Sequence, residues 1–590
     1  MAKRTVKLGI KDIRGLYATS RFLGTKTRET LGLSIPFEVY FQDPVVAAEH
    51  PDFGFDEDCC VDWEPGLADG PTSARFAVVD YNSDTDMLAP PAQWNEKKLK
   101  FVHDDQVLDR TAKETLQFHQ LNVWAILQRA LRFFEGADCL GRRIPWGFEG
   151  NRLLVVPHAG YGQNAYYDRR SKSLQFYYFD KEGGQVFTCL STDIVHHEFG
   201  HAVLDGIRPL LNESASVETA AFHEFFGDLT AILIILRNNA FRRRLVQETN
   251  GDLSEAQRLA GVAEEFGREV TGQNYLRSAI NESTMETAAN TASPHKMSQV
   301  MTGAMFDILL DLSKHYLERR GGKALPALWN TIQRMQRMAI QSLDFLPPCD
   351  VTFKDYAEAV LRAEELANPR DPHGYRNLMI KAFVKRGIFS EDEAAMLTGD
   401  GYLHDRPSMT IFHSIDQIGA SRVDAYRYLD DNRGCLGLPD NRDIIVSDLY
   451  SAEKYARQAR RLPRQLVLEY IWREDVLLEG ARFGRFDGVR TTMLCGGTLV
   501  FDENGTLLWS VEKPDSEARL EQFLNDIAQR IGSGQIGPAF DGEHGMLGGF
   551  MAPFSERVVD NTLRIEITPH LSLNEGDDET QGERQWQPSS

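Results

Sequence analysis

The 590-residue sequence predicts an α+β fold, on three observations. Short alternating apolar runs, bounded by Gly, Pro, Asn and Asp, occupy much of the chain up to about residue 180, as half-buried strands do. From about residue 217 to 396 the apolar positions recur instead at three- and four-residue spacing, the pattern of helices. Between these stretches lies His196-His197-Glu198-Phe199-Gly200-His201, with the N-cap candidates Ser191, Thr192 and Asp193 before it and Gly206 and Pro209 after it. That is how a helix begins and ends.

Taken in order, residues 1–105 read as a β-rich module, with Phe37-Glu38-Val39-Tyr40-Phe41 and Phe76-Ala77-Val78-Val79 as strands among acidic loops. Residues 106–206 open with a helix over about 111–134 and continue through strands at Leu153-Leu154-Val155-Val156 and 174–179. They close in the histidine-bearing helix, where Ser191, Thr192 and Asp193 are N-cap candidates and Ile194, Val195, Phe199, Ala202 and Val203 form its apolar stripe. Residues 207–400 are helical in pattern, with helices over 217–236, 324–343 and 353–366 and another opened by Pro294. Residues 401–574 form a further α+β module. There, two apolar runs flank Asp502-Glu503-Asn504-Gly505, a hairpin signal, and a capped helix follows over 515–531. The Gly-rich stretch 532–549 reads as a loop or linker, and 575–590 as a disordered acidic tail.

The chemistry is concentrated in two of these helices. His197 and His201 stand at i and i+4, so their rings share one helix face and can converge on one cation. Glu198 is rotated about 100° from His197. Its carboxylate can lie beside the metal without ligating it, where a general base would take a proton from the attacking water. On the next helix Glu224 and Asp228 are again an i, i+4 pair, in a stretch so apolar that unpaired charge there would be costly. Glu224 completes the two-histidine, one-carboxylate set of a catalytic zinc site. Asp228, one turn on, could hold the second ring N–H of a ligating histidine.

In these residues the chain resembles the thermolysin-type metallopeptidases, the gluzincins, whose pattern is H-E-x-x-H followed by E-x-x-x-D on the next helix. Asp193-Ile194-Val195 and Ala202-Val203 flank the motif as in that family, Asn212-Glu213-Ser214 repeats an N-E-S stretch, and Asn164-Ala165-Tyr166-Tyr167 resembles its N-A-F-W segment. Leu276-Arg277-Ser278 and His295-Lys296-Met297-Ser298 resemble two further segments. The resemblance, over about residues 115–396, implies a two-lobed core with a β-rich upper lobe and a helical lower lobe, holding one zinc ion on His197, His201 and Glu224. It implies Glu198 as general base and later proton donor, and His295 as stabiliser of the tetrahedral intermediate. Arg277 would grip a substrate carbonyl, Leu276 would line a specificity pocket, and Asn164 and Ala165 would bind the peptide backbone along a strand edge.

There are departures from the family. The loop between the two ligand helices is longer, no tyrosine occurs in 210–214 to serve as a second oxyanion donor, and the aspartate that orients the histidine aligns with Asn290. The stretch 229–236 is uncharged, so no calcium site is expected. His196 and His223 neighbour ligands but point away from them, and read as supporting or solvated histidines, His223 being the nearer to a cleft role. No role is assigned to His158.

Length alone suggests two to four domains. A net charge of −21 disfavours nucleic acid and an anionic membrane surface as partners. No segment of 18 uninterrupted apolar residues occurs, and Lys11, Asp12 and Arg14 break any apolar run after the basic N-terminus. Seven cysteines without a C-x-x-C spacing fit a reducing, cytoplasmic location. The expected activity is zinc-dependent endopeptidase action on a protein or peptide substrate, restrained by a regulatory partner or a self-inhibiting segment. The rival reading is a zinc-binding module of the same fold without catalysis.

Overall fold

The computed structural model describes residues 34–49, 54–64, 66–249, 251–253, 261–262, 277–289, 291, 293–398, 407, 409–456, 460–538 and 553–569, and shows mixed α and β content. Leu276, Asn290 and the tail 575–590 lie outside the described residues, as does most of the Gly-rich stretch. Strands β1 (Ser34–Tyr40) and β2 (Phe55–Asp62) form an antiparallel pair, with Ile35, Phe37 and Val39 buried on alternate positions. The pair packs on α1 (Leu116–Glu135), where Tyr40 N donates to Asn122 Oδ1 at 2.8 Å and Arg129 pairs with Asp56. The expected start of α1 near residue 111 is displaced. Asp109 caps a separate 3-10 turn (Arg110–Ala112), and Thr115, accepting from Phe118 N, starts the helix anew.

A four-stranded sheet has the order β5-β6-β4-β3, with β3 at Phe76–Val78, β4 at Leu153–Val156, β5 at Ala165–Asp168 and β6 at Ser173–Phe176. Strand β3 runs parallel to β4, so residues early in the chain supply one strand of this sheet. Strand β6 also runs parallel to β4, and β5 runs antiparallel to β6 at the end of the sheet. The predicted strand over 174–179 is divided at Tyr177, beyond which Tyr178–Lys181 pairs with Gly184–Phe187 as a hairpin.

Helices α2 (Thr192–Ile207) and α3 (Val217–Ile235) cross at the centre of the molecule, α2 buried throughout and α3 over nearly all its length. An all-round apolar helix such as α3 must be wrapped by others. The wrapping comes mainly from α4 (Pro294–Arg319), α5 (Ala324–Gln341) and α6 (Phe353–Ala367), which share its core. Among the described residues no single helix is long and apolar enough to cross a membrane; α3 and Asn239–Glu248 reach that composition only as a pair bent by 91°.

The C-terminal part is built on a seven-stranded sheet. Its strands are β7 (Ile445–Ala452), β8 (Gln465–Leu477), β9 (Arg490–Phe501), β10 (Leu507–Lys513), β11 (Ile536–Pro538), β12 (Phe554–Val559) and β13 (Thr562–Ile567). The order is β7-β8-β9-β13-β12-β11, with β10 also pairing β9. The expected hairpin is β9–β10, turned where Asp502 N donates to Thr506 O at 2.9 Å and Gly505 takes φ +82. The expected capped helix is α7 (Glu517–Gly532), begun by Ser516. This sheet is seated on the helices before it. Val467, Val500 and Trp509 join the main core, Trp509 Nε1 donates to Phe345 O at 2.8 Å, and Arg208 pairs with Glu469.

Candidate metal centre

Helix α2 starts where the Ser191 hydroxyl accepts from Ile194 N; the same hydroxyl donates to Asp43 Oδ1 at 2.6 Å. Pairing with α3 is close because each helix offers a glycine at the crossing. A Cβ added at Gly200 would stand 3.0 Å from Gly227 Cα and from Thr230 Oγ1, and one at Gly227 would stand 2.6–2.9 Å from the His197 ring. Gly227 therefore sets how deep His197 sits. Overpacking of this kind typically costs about 1–3 kcal/mol. Borne by the His197 ring, that corresponds to about 5- to 150-fold in affinity. Gly227→Ala is accordingly expected to weaken metal binding within that range while helix content by circular dichroism is unchanged.

The crossing brings the ligand atoms together. His197 Nε2 lies 3.1 Å from His201 Nε2, and Glu224 Oε2 and Oε1 lie 3.3 and 3.8 Å from those two nitrogens respectively. Donors about 2.0–2.2 Å from a tetrahedral ion stand about 3.3 Å apart, which the His197–His201 and His197–Glu224 separations match and the His201–Glu224 separation exceeds. His197 Nδ1 is 3.0 Å from Asp228 Oδ1. Since a carboxylate accepts, the ring proton sits on Nδ1 and Nε2 presents its lone pair toward His201. A Glu198 carboxylate oxygen also lies within 4.8 Å of a ring nitrogen of each of the two histidines, in a group able to hold a metal ion, and the residue is fully buried.

His295 enters from the first turn of α4, where Pro294 is the first helical residue and Ser293 caps it. Its Nε2 is 2.9 Å from Glu224 Oε2. Burial alone would raise the Glu224 carboxyl, but the imidazoles of His295 and His201 hold it well below the usual carboxylate range. Glu224 is thus a ready anion for a cation.

Asn164 and Ala165 stand at the start of β5, on the terminal strand of its sheet; Ala165 pairs with Phe176, and the Asn164 side chain accepts from Ala165 N at 2.9 Å. For Arg277 the backbone alone is described, pairing with Val262 in a short ladder. His223 is fully buried, 6.0 Å ring to ring from His201, without a hydrogen-bond partner for either nitrogen among the described residues, and burial pushes it down to about 4. His196, also buried, is pushed down to about 3 by burial and by Arg129. Both rings are neutral at pH 7.

One residue near the site is missing from the sequence reading. Asp205, one turn beyond His201 on α2, accepts from Tyr167 Oη at 2.6 Å, Asn212 Nδ2 at 3.1 Å and Arg169 Nε at 3.0 Å. It ties the C-terminal end of α2 to strand β5 and to the loop between the ligand helices. Its i+4 spacing from His201 is the signal that could have found it.

No family model matches this chain, and no curated protein does. Among solved structures, the precursor of protealysin, a metalloproteinase from Serratia proteamaculans, is similar at a TM-score of 0.35 and 13% identity, over 55% of this chain and 91% of that one.

Proposed function

We propose that this protein is a zinc-dependent endopeptidase with a two-lobed, thermolysin-like core. The observation that carries the reading is the convergence of two helices on one point, with His197, His201 and Glu224 as facing donors and Glu198 buried beside them. His197, His201 and Glu224 would hold the ion. Bound there, zinc supplies Lewis-acid polarisation of the scissile carbonyl and acidifies the attacking water. Both carboxylates lie close to the ring nitrogens, and we assign Glu224 as ligand because its two oxygens face both histidines from the opposite helix. Glu198 is then left to accept the water proton and deliver it to the leaving amine.

Asp228 fixes the His197 tautomer, and Asp228→Asn is expected to lower zinc affinity about 10- to 100-fold, read by competition with a chromogenic chelator. His295 Nε2, 2.9 Å from Glu224 Oε2, stands beside the proposed ligands, which supports the reading of His295 as the donor that would turn to the developing oxyanion. Strand β5 is terminal in its sheet, and on this reading an extended peptide would add as a strand at Asn164 and Ala165. Leu276 and Arg277 keep the pocket and carbonyl-binding roles that the resemblance implies. The seven cysteines are free, and on the reading of a reducing compartment a regulatory partner or a self-inhibiting segment would restrain the cleft.

The test is incubation of the full chain with a degenerate peptide library, with and without a zinc chelator, followed by mass spectrometry. Chelator-sensitive internal cleavage is expected. Intact peptides together with one bound zinc per chain would instead favour the non-catalytic module.

A further inference from the structure

A second cluster of metal-type donors lies close in sequence to the start of α2, and the proposed chemistry does not use it. It joins His119 of α1, His158 after β4, and Cys189 in the 3-10 turn Thr188–Leu190 that leads into α2. All three are buried, at 3%, 4% and 0% exposure, and their ligand atoms lie within 4.8 Å of one another.

The hydrogen bonds around the two rings define which nitrogens face inward. His119 Nε2 is 3.1 Å from the carbonyl of Lys113, which can only accept, so the His119 proton is on Nε2. His158 Nδ1 is 2.8 Å from Asp80 Oδ1, and Asp80 Oδ2 accepts from Gln120 Nε2 at 2.7 Å. Gln120 is itself held, its Oε1 accepting from Ala92 N at 2.8 Å. The carboxylate therefore draws the His158 proton to Nδ1. The remaining nitrogens, His119 Nδ1 and His158 Nε2, point lone pair to lone pair at 2.9 Å, an arrangement that needs a cation between them. Phe187 closes the cluster, its ring centroid 4.8 Å from His119 and 5.4 Å from His158.

We propose that His119 Nδ1, His158 Nε2 and Cys189 Sγ bind a second transition-metal ion of the zinc class, as a structural clamp separate from the His197–His201 centre. Two imidazoles and a thiolate suit such an ion. Asp80 and the Lys113 carbonyl orient the two rings in the manner of outer carboxylate and carbonyl partners at zinc sites. Binding displaces the thiol proton to solvent, and the two rings open slightly, since donors on one tetrahedral ion stand about 3.3 Å apart. Cys189 is two residues from the Ser191 cap, and the neighbouring Thr188 hydroxyl donates to Tyr177 O at 2.8 Å beside β5. The clamp would thus fix the start of the proposed catalytic helix against α1 and the β-rich part.

The experiment is titration of the chelator-treated full chain with Co2+ under reducing conditions, following the near-ultraviolet thiolate-to-cobalt charge-transfer band. Two equivalents are expected, one of them bringing that band. Cys189→Ser should lose the band and one equivalent, whereas the double variant His197→Ala, His201→Ala should keep the band and lose the other equivalent. Wild-type binding without a charge-transfer band would overturn the clamp and leave a proton as the cation between the rings. Retention of the band in Cys189→Ser would overturn it equally. A band in the wild type with no equivalent lost in the double variant would defeat the peptidase reading instead, so the two proposals fail separately.

Discussion

Replacing Glu198 by glutamine is expected to abolish peptide hydrolysis while leaving zinc bound. The side chain is fully buried, with a carboxylate oxygen within 4.8 Å of a ring nitrogen of His197 and of His201, so the near-isosteric amide can occupy its place. An amide cannot take up the water proton or return it to the amine. General acid–base groups typically contribute about 100- to 10,000-fold in rate, and in the proposed mechanism one residue serves both transfers, so a loss at or above the top of that range is expected. The decisive pair of measurements is kcat on a cleaved library peptide and metal content by mass spectrometry. Full residual activity with metal retained would remove Glu198 from the reaction. Loss of metal along with activity would move Glu198 into the ligand set.

The second large effect concerns the bond between the helices and the C-terminal sheet. Asp344, fully buried after α5, is 2.8 Å from Arg142 Nη2, 2.8 Å from Lys454 Nζ and accepts from Tyr450 Oη at 2.9 Å. Burial alone would raise its carboxyl, yet Lys454, Arg142 and Arg208 hold it well below the usual range. Asp344→Asn leaves buried cations without their counter-charge, which typically costs about 3–5 kcal/mol. Because the folded pKa is depressed, the wild-type contribution is fully present above the unfolded aspartate value of about 3.9 and is lost as pH falls below it toward the folded value. The variant should therefore show a lower urea midpoint at neutral pH, and the gap to wild type should narrow below about pH 3.9. Equal midpoints at neutral pH would show that the cluster holds nothing together.

The two helices of the candidate metal centre were legible because their signals are local. Ser191 and Ser216 cap them, and the i, i+4 pairs His197–His201 and Glu224–Asp228 fall on single faces whatever else the chain does. The β9–β10 hairpin was legible for the same reason, its turn residues lying between its strands. Placement of Phe76–Val78 beside Leu153–Val155 was not, since parallel pairing across so much chain leaves no mark on either strand's periodicity. Nor was the His119–His158–Asp80 chain, whose members come from a helix and two loops and meet only in the folded core. His158 looked unremarkable in the sequence because its partners are remote.

The segment carrying Glu224 has a place in the order of synthesis. Ala215 and Ala220, on either side of the start of α3, share an apolar cluster with Leu478, Phe483, Phe554 and Leu563. Just before them, Arg208 is paired with Glu469. The ribosome makes the proposed ligands His197, His201 and Glu224 early but the residues that pack on Arg208 and on the start of α3 late. A nascent chain halted at residue 400 is therefore expected to take up no zinc at this centre, measurable as metal per chain after purification. On the proposed reading, activity would then begin only after the segment from Glu469 to Leu563 has been made, so a protease lacking it would stay idle beside its ribosome.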